Sequence, residues 1–174
     1  MNAFLLQVYL LEVTAQCEAV EIAAATVDMQ VGSAKPNVSV VWTALQTFAI
    51  AAGDLSRLFW GQGKAAERVD LRAACEVTDA SPLYNRDFRN HLEHLDERLE
   101  EWLRTSSTRR FLDRSMGTGP PPKAFAGGDI FRYFDTARSV LIFRGNEYDL
   151  KAIYAEATRI HPIARQAFYK VVSG

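Results

Sequence analysis

The stretch NAFLLQVYLLEVTAQCEAVEIAAATVDMQ, from Asn2 to Gln30, decides the fold class of this 174-residue chain. It contains no Pro or Gly and is rich in Ala, Leu and Glu, which favour helix. Apolar residues occupy most sides of the helix around Phe4–Leu11 and Ala19–Ala25, a pattern typical of a buried helix. The stretch therefore predicts one long and largely buried α-helix.

More helices follow this first one. The breaker-rich stretch 31–37 ends it, and Gly61 ends the next helix. Ser81 is suited to cap a later helix, because Pro82 then occupies the first helical position. Apolar spacing and the breakers together predict three further helices: Val38–Trp60, Lys64–Thr78 and Pro82–Thr105.

The pattern changes in the last third of the chain. Gly and Pro are concentrated between residues 116 and 128, which predicts an irregular linker. Ile130–Phe134 and Val140–Phe143 are aromatic and β-branched runs around a polar turn, as in a β-hairpin. A final helix is predicted from Leu150 to Val171, capped by Asp149 and kinked or interrupted at Pro162.

These elements add up to one domain of residues 1–174, in line with the chain length. Residues 1–115 are expected to form a helical bundle, 116–128 a linker, and 129–174 the hairpin with the terminal helix. The predicted fold is thus mainly α: a four-helix array with a small β-hairpin and a C-terminal helix. The hairpin is expected to pack on the bundle or on a partner, because isolated two-stranded ribbons are barely stable in water.

Composition limits the possible environments. The net charge of −1 gives no overall attraction to nucleic acid or to an anionic membrane. Cys17 and Cys75 stand far apart in apolar surroundings, which favours two buried thiols in a reducing compartment. The N-terminus lacks the basic region of a secretion signal and is interrupted by Glu12, so a cytoplasmic protein without a membrane segment is expected. No metal-ligand spacing is visible around His161, and neither a metal nor a cofactor is expected.

The predicted fourth helix combines an apolar stripe with a polar ridge. Five apolar residues recur at steps of four and three and form the expected core face: Phe88, Leu92, Leu95, Leu99 and Trp102. Arg86, Asn90 and His94 are four residues apart, so they are expected to line one side that faces away from the core. This ridge is the candidate functional segment.

The same segment resembles a known motif. Arg89-Asn90-His91-Leu92-Glu93-His94 is similar to the Arg-polar-x-x-x-His motif of the HEPN superfamily, helical proteins that include many metal-independent ribonucleases. Arg86 and His91 repeat the spacing. The wider string from Ser81 to Leu99 also looks like an uncharacterised bacterial protein family.

The resemblance implies a catalytic chemistry for these residues. His94 would take the proton from an RNA 2′-hydroxyl, Arg89 would hold the phosphate, and Asn90 would orient either group. Arg86 could supply the guanidinium instead, from the same ridge as His94. In HEPN ribonucleases the sites of two protomers meet at a dimer interface, which implies a homodimer here. The family analogy also implies a toxin–antitoxin or defence setting, with an antitoxin or another protein as a possible partner.

Other interpretations of these residues remain open. Arg, His and Glu at helical spacing also form ordinary solvated surfaces with ion pairs, and the ridge could equally be a polar contact that forms a dimer. A non-catalytic helical interaction protein is therefore the alternative to a ribonuclease. The cations that cluster after the fourth helix could contact RNA phosphates, or could lie in a solvated loop balanced by the acidic helix before it: Arg104, Arg109, Arg110, Arg114 and Lys123.

Overall fold

The computed structural model describes residues 1–61, 63–85, 94–125 and 127–173. The prediction of a mainly α-helical protein is confirmed. Its helices are α1 (Ala3–Val31), α2 (Val38–Trp60), α3 (Val69–Ala74), α4 (Leu95–Thr105) and α5 (Leu150–Ser173). Short 3-10 turns occupy Ala65–Arg68, Pro82–Tyr84 and Gly127–Asp129.

The long helix α1 organises the bundle. It packs along α2 on one side and along α5 on the other. One stripe of α1 enters the core, where Leu10, Val13, Cys17 and Val20 are fully buried. Such dense burial of apolar side chains is the main stabilising term in a bundle of this kind.

The predicted hairpin is confirmed and belongs to a larger sheet. Strands β2 (Arg132–Asp135) and β3 (Val140–Phe143) are antiparallel, and Tyr133 lies opposite Ile142. Two further strands extend this pair: β1 (Ser115–Gly117) runs parallel to β2, and β4 (Asn146–Asp149) runs antiparallel to β3. The spatial order is β1-β2-β3-β4.

Both faces of the sheet are covered. Phe134, Leu141 and Tyr148 point into the main core together with the helices. Tyr133 and Ile142 belong to a second, smaller core, against which Leu112 and Phe125 pack. Within residues 116–128, which the sequence predicts as an irregular linker, the structure places part of β1 and Phe125, which contributes to the cover of the outer face.

The shorter predicted helices need correction. The predicted third helix is a 3-10 turn followed by α3, which ends at Ala74, because Glu76 adopts a left-handed backbone with φ of 53°. Ser81 caps as expected, since its Oγ accepts from the amide of Leu83 at 3.3 Å. However, Ser81 begins only a 3-10 turn, Pro82–Tyr84, and the backbone of Asn85 after this turn is extended. The predicted continuous helix is therefore broken at Asn85, a residue type that favours turns over helix interiors.

The terminal helix α5 is longer than expected. Asp149 caps it, accepting from the amide of Ala152 at 3.1 Å, as predicted. The helix then runs from Leu150 to Ser173 with Pro162 inside it, so of the two predicted effects of Pro162, a kink or an interruption, the interruption does not occur. Pro162 lies on the exposed side, where solvent can hydrogen-bond the backbone carbonyl that its ring leaves without a partner.

Cys17 and Cys75 are both fully buried in the core. Burial raises the pKa of each thiol to about 12. Because the thiolate is the reactive form, we expect neither cysteine to react with Ellman's reagent at pH 8 in the folded protein, and both to react at once in denaturant.

The same shift has a consequence for stability. Between the ordinary thiol pKa of 9.0 and the raised pKa of about 12, the unfolded chain loses thiol protons that the folded chain keeps. The free energy of unfolding should therefore fall as pH rises above about 9. Fast labelling of either thiol in the native protein at pH 8 would contradict this description of the core.

Candidate functional site

His94 stands at the N-terminal end of α4. It occupies the N-cap position, but its side chain makes no capping hydrogen bond. The imidazole is half exposed, at 51% of its side-chain surface, and Nδ1 lies 3.3 Å from Oε1 of Glu97 one turn further along. This ring therefore has a carboxylate on one nitrogen and remains accessible to solvent.

The other residues assigned to catalysis cannot be placed beside it. Arg86, Arg89 and Asn90 lie outside the described residues, as does His91. Of the predicted polar ridge, the structure places only His94. The position of His94 and its contacts are therefore observed, whereas the role of the motif's arginine remains a prediction from the sequence.

Aromatic contacts hold α4 against the fold. Leu95 and Trp102 pack on the main core. The Trp102 ring lies 4.6 Å from that of Phe111, which lies 5.3 Å from Phe131 on the way into the sheet. Such tilted ring pairs add to the stabilisation from burial alone. This chain of rings positions the helix that carries His94.

A charged network fixes the exposed side of α4. Glu101 accepts from Arg144, at 2.5 Å, and from Arg98, at 3.3 Å. The hydrogen bond from Arg144 is the main reason that the pKa of Glu101 lies below its usual value, and Arg98 adds to it. Arg144 comes from the turn between β3 and β4, so the network joins the helix to the sheet.

The predicted RNA-binding arginines lie at the other end of α4. Arg104 is exposed in its last turn, ten residues after His94, which is about 15 Å along a helix axis. Arg109 and Arg110 are exposed in the loop that follows, where Arg110 donates to the carbonyl of Ala124 at 3.0 Å. The structure therefore does not bring these cations into contact with the imidazole.

A second histidine, His161, has partners that the sequence did not reveal. It lies on α5 with 15% of its side chain exposed, and its Nδ1 is 3.1 Å from both carboxylate oxygens of Glu21 on α1. Its Nε2 is 3.5 Å from Glu18. The two segments are 140 positions apart, so no local spacing could have shown this contact. Within the described residues, no group of three or more His, Cys, Asp or Glu is placed to hold a metal ion.

The outer side of α1 is an apolar surface. Phe4, Ile22 and Met29 are exposed at 74%, 69% and 64%, although the sequence predicts a largely buried helix. That prediction is wrong on this side, because α2 and α5 cover only the opposite side and the flanks. A groove of about 350 Å³ runs between α1 and α2 beside Ile22 and Val40. By length and composition alone, α1 and α2 could also cross a membrane.

The chain matches no protein-family model, no curated protein and no solved structure. His94 with its carboxylate, the arginines beyond it and the apolar side of α1 are therefore the features from which a function can be inferred.

Proposed function

We propose that the protein is a HEPN-like, metal-independent endoribonuclease that acts as a homodimer in the cytoplasm, with His94 as its general base. The observation that carries the proposal is the exposed imidazole of His94 with Glu97 at 3.3 Å from its Nδ1. A base that is oriented by a carboxylate and open to solvent is a recurrent arrangement in acid–base catalysis.

The pair supports a specific division of roles. When Nδ1 carries the proton and donates a hydrogen bond to Glu97, Nε2 is unprotonated and can act as the base. Nε2 would remove the proton of an RNA 2′-hydroxyl, and the 2′-oxygen would attack the adjacent phosphorus. The bond to the 5′-oxygen then breaks, and that oxygen takes a proton from solvent. The products are a 2′,3′-cyclic phosphate and a 5′-hydroxyl, with no metal required.

The remaining positions are assigned from the motif. Arg89 would hold the phosphate and stabilise the charge that develops on it, with Arg86 as the other source of a guanidinium. Asn90 would orient the phosphate or the imidazole. Arg104, Arg109 and Arg110 would bind backbone phosphates further along the strand, which fits their exposure and a separation of about 15 Å between His94 and Arg104.

The first test is cleavage of a labelled single-stranded RNA by the purified protein in EDTA. Cleavage that leaves cyclic-phosphate ends is the expected result, because the 2′-hydroxyl is the attacking group. A DNA strand of the same sequence is the matched substrate control, since it lacks that hydroxyl. Cleavage of the DNA, or an absolute need for a divalent ion, would contradict the mechanism.

A second candidate is a non-catalytic helical interaction protein that binds itself or another protein, such as an antitoxin. The exposed apolar side of α1 favours it, because soluble proteins seldom leave a continuous apolar surface of this length without a partner. In this case several RNAs would survive incubation with the protein, while self-association or binding of the partner would persist.

A further inference from the structure

The exposed side of α1 carries a regular apolar stripe. Val8, Ala15, Ile22 and Met29 are exposed and seven residues apart, which places them on one line two turns apart. This is the spacing by which helices pack against one another along a seam. Together with the groove between α1 and α2, which is lined by Thr26, Val40, Thr43 and neighbouring residues, the stripe forms what we call the α1–α2 face.

We propose that the α1–α2 face binds the same face of a second copy of this chain. A two-fold symmetric contact requires a surface that has both protruding and recessed parts. This face has both, because Ile22 and Met29 protrude at 69% and 64% exposure beside a groove of about 350 Å³. The protruding side chains of one copy would enter the groove of the other.

The size of the face is sufficient for a stable dimer. The stripe from Val8 to Met29 is about 33 Å long, and two neighbouring helices present a strip about 20 Å wide. The resulting area is roughly 650 Å² per copy, at the lower end of what a specific interface buries on each partner. A single short peptide would cover only part of such a strip.

The distribution of charge also fits a second copy. The side chains that line the groove are all uncharged, among them Thr43 and Thr47. The acidic residues nearest the stripe have partners within the chain: Glu12 accepts from Gln16 at 2.7 Å, and Glu18 lies 3.5 Å from His161. No Lys or Arg precedes Lys35, so α1 lacks the cations that bind a helix to anionic lipid.

This inference rests on the proposed function only in that two copies of the chain associate, and it places their contact on α1 and α2. It also departs from the HEPN resemblance, in which the two sites meet at the dimer interface. The α1–α2 face contains no residue of α4, so His94 lies outside the contact. Each imidazole would then act within its own protomer, with the guanidinium supplied from the same chain.

The test is sedimentation equilibrium of the full chain over a range of concentrations. We expect the wild type to sediment at twice 19.5 kDa. Ile22→Glu should raise the dissociation constant by about 100-fold or more, because the symmetric contact contains the substitution twice. Thr43→Glu, on the other wall of the groove, should do the same. Val69→Glu is the matched control, since Val69 is 52% exposed on α3 and should leave the mass unchanged.

The possible outcomes distinguish an error in the proposed interface from an error in the proposed homodimer. A wild-type monomer at all concentrations would overturn the homodimer and this interface together. A dimer that persists in both Ile22→Glu and Thr43→Glu, with native helicity, would overturn only the interface. A monomer that floats with phosphatidylcholine vesicles, and no longer does so as Ile22→Glu, would show that the face binds a membrane and would also overturn the proposal.

Discussion

Replacement of His94 by alanine is expected to lower the rate of metal-independent RNA cleavage by about 10²–10⁴-fold, the usual contribution of a general base. The fold should be unaffected, because the half-exposed imidazole makes no capping bond at the start of α4. The rate is measured under single-turnover conditions, and the helix content by circular dichroism. Arg89→Ala is expected to have a similar effect through loss of the phosphate contact.

Two substitutions on α4 provide the controls. Glu97→Gln removes the carboxylate beside Nδ1, so it should give a smaller loss than His94→Ala and change the pH profile of the rate. Glu100→Gln removes the same charge from an exposed position on the same helix and should leave the rate unchanged. Equal activity of wild type and His94→Ala would remove the base from the mechanism. Equal effects of Glu97→Gln and Glu100→Gln would show that only net charge matters.

The long helices were predictable because their signals are local. The structure gives α2 the predicted bounds, Val38–Trp60, and moves each end of α1 by one residue. Breakers in the stretch 31–37 and at Gly61 determine the end of α1 and both bounds of α2. The same signals were misleading at Pro82, where a favourable cap begins only one 3-10 turn that ends before the extended Asn85.

The added strands and the side-chain partners were not predictable in the same way. β4 reads Asn-Glu-Tyr-Asp, a poor strand sequence, and it forms because β3 offers its edge and Tyr148 enters the core. Ser115–Gly117 forms β1 by parallel pairing with β2, whose paired residues lie 18 positions further along the chain, as Tyr133 does from Ser115. His94 could be proposed as a candidate from its motif, whereas the pairing of His161 with Glu21 depends on how α1 and α5 pack. Local sequence carries no signal for such contacts.

The largest loss of stability is expected from Asp135→Ala, at the end of β2. Asp135 has no exposed surface. Its carboxylate accepts from the amides of Gly119 and Ala137, both at 3.0 Å, and from Nε of Arg138 at 2.6 Å. It thus joins the segment after β1 to the turn between β2 and β3. Removal takes the acceptor from two backbone amides in part-buried hydrogen bonds and empties the fully buried site of the carboxylate, so we expect the free energy of unfolding to fall by about 2–3 kcal/mol.

Glu147 on β4 provides the matched control. It accepts from the same guanidinium, at 3.0 and 2.7 Å, but its side chain is 51% exposed. Solvent screens such a pair, so Glu147→Ala should cost less than about 1 kcal/mol. Urea denaturation of the two variants and the wild type measures the difference. Similar losses for both substitutions would mean that burial does not distinguish the two carboxylates.

The pH dependence tests the same contact independently. Burial alone would raise the pKa of Asp135, but the hydrogen bonds from Arg138 and from the backbone amides outweigh burial and hold this pKa below its usual value. The unfolded chain therefore takes up the proton first, and this contribution to stability is lost as pH falls through and below about 4. Asp135→Asn, similar in shape but without a charge, should be less stable at pH 7 and lose less of its stability on acidification. Stability is lost on acidification only where a group has a lower pKa in the folded than in the unfolded chain. If Asp135→Asn loses as much stability as the wild type when pH falls, another carboxyl group with a lowered pKa is responsible for the acid transition.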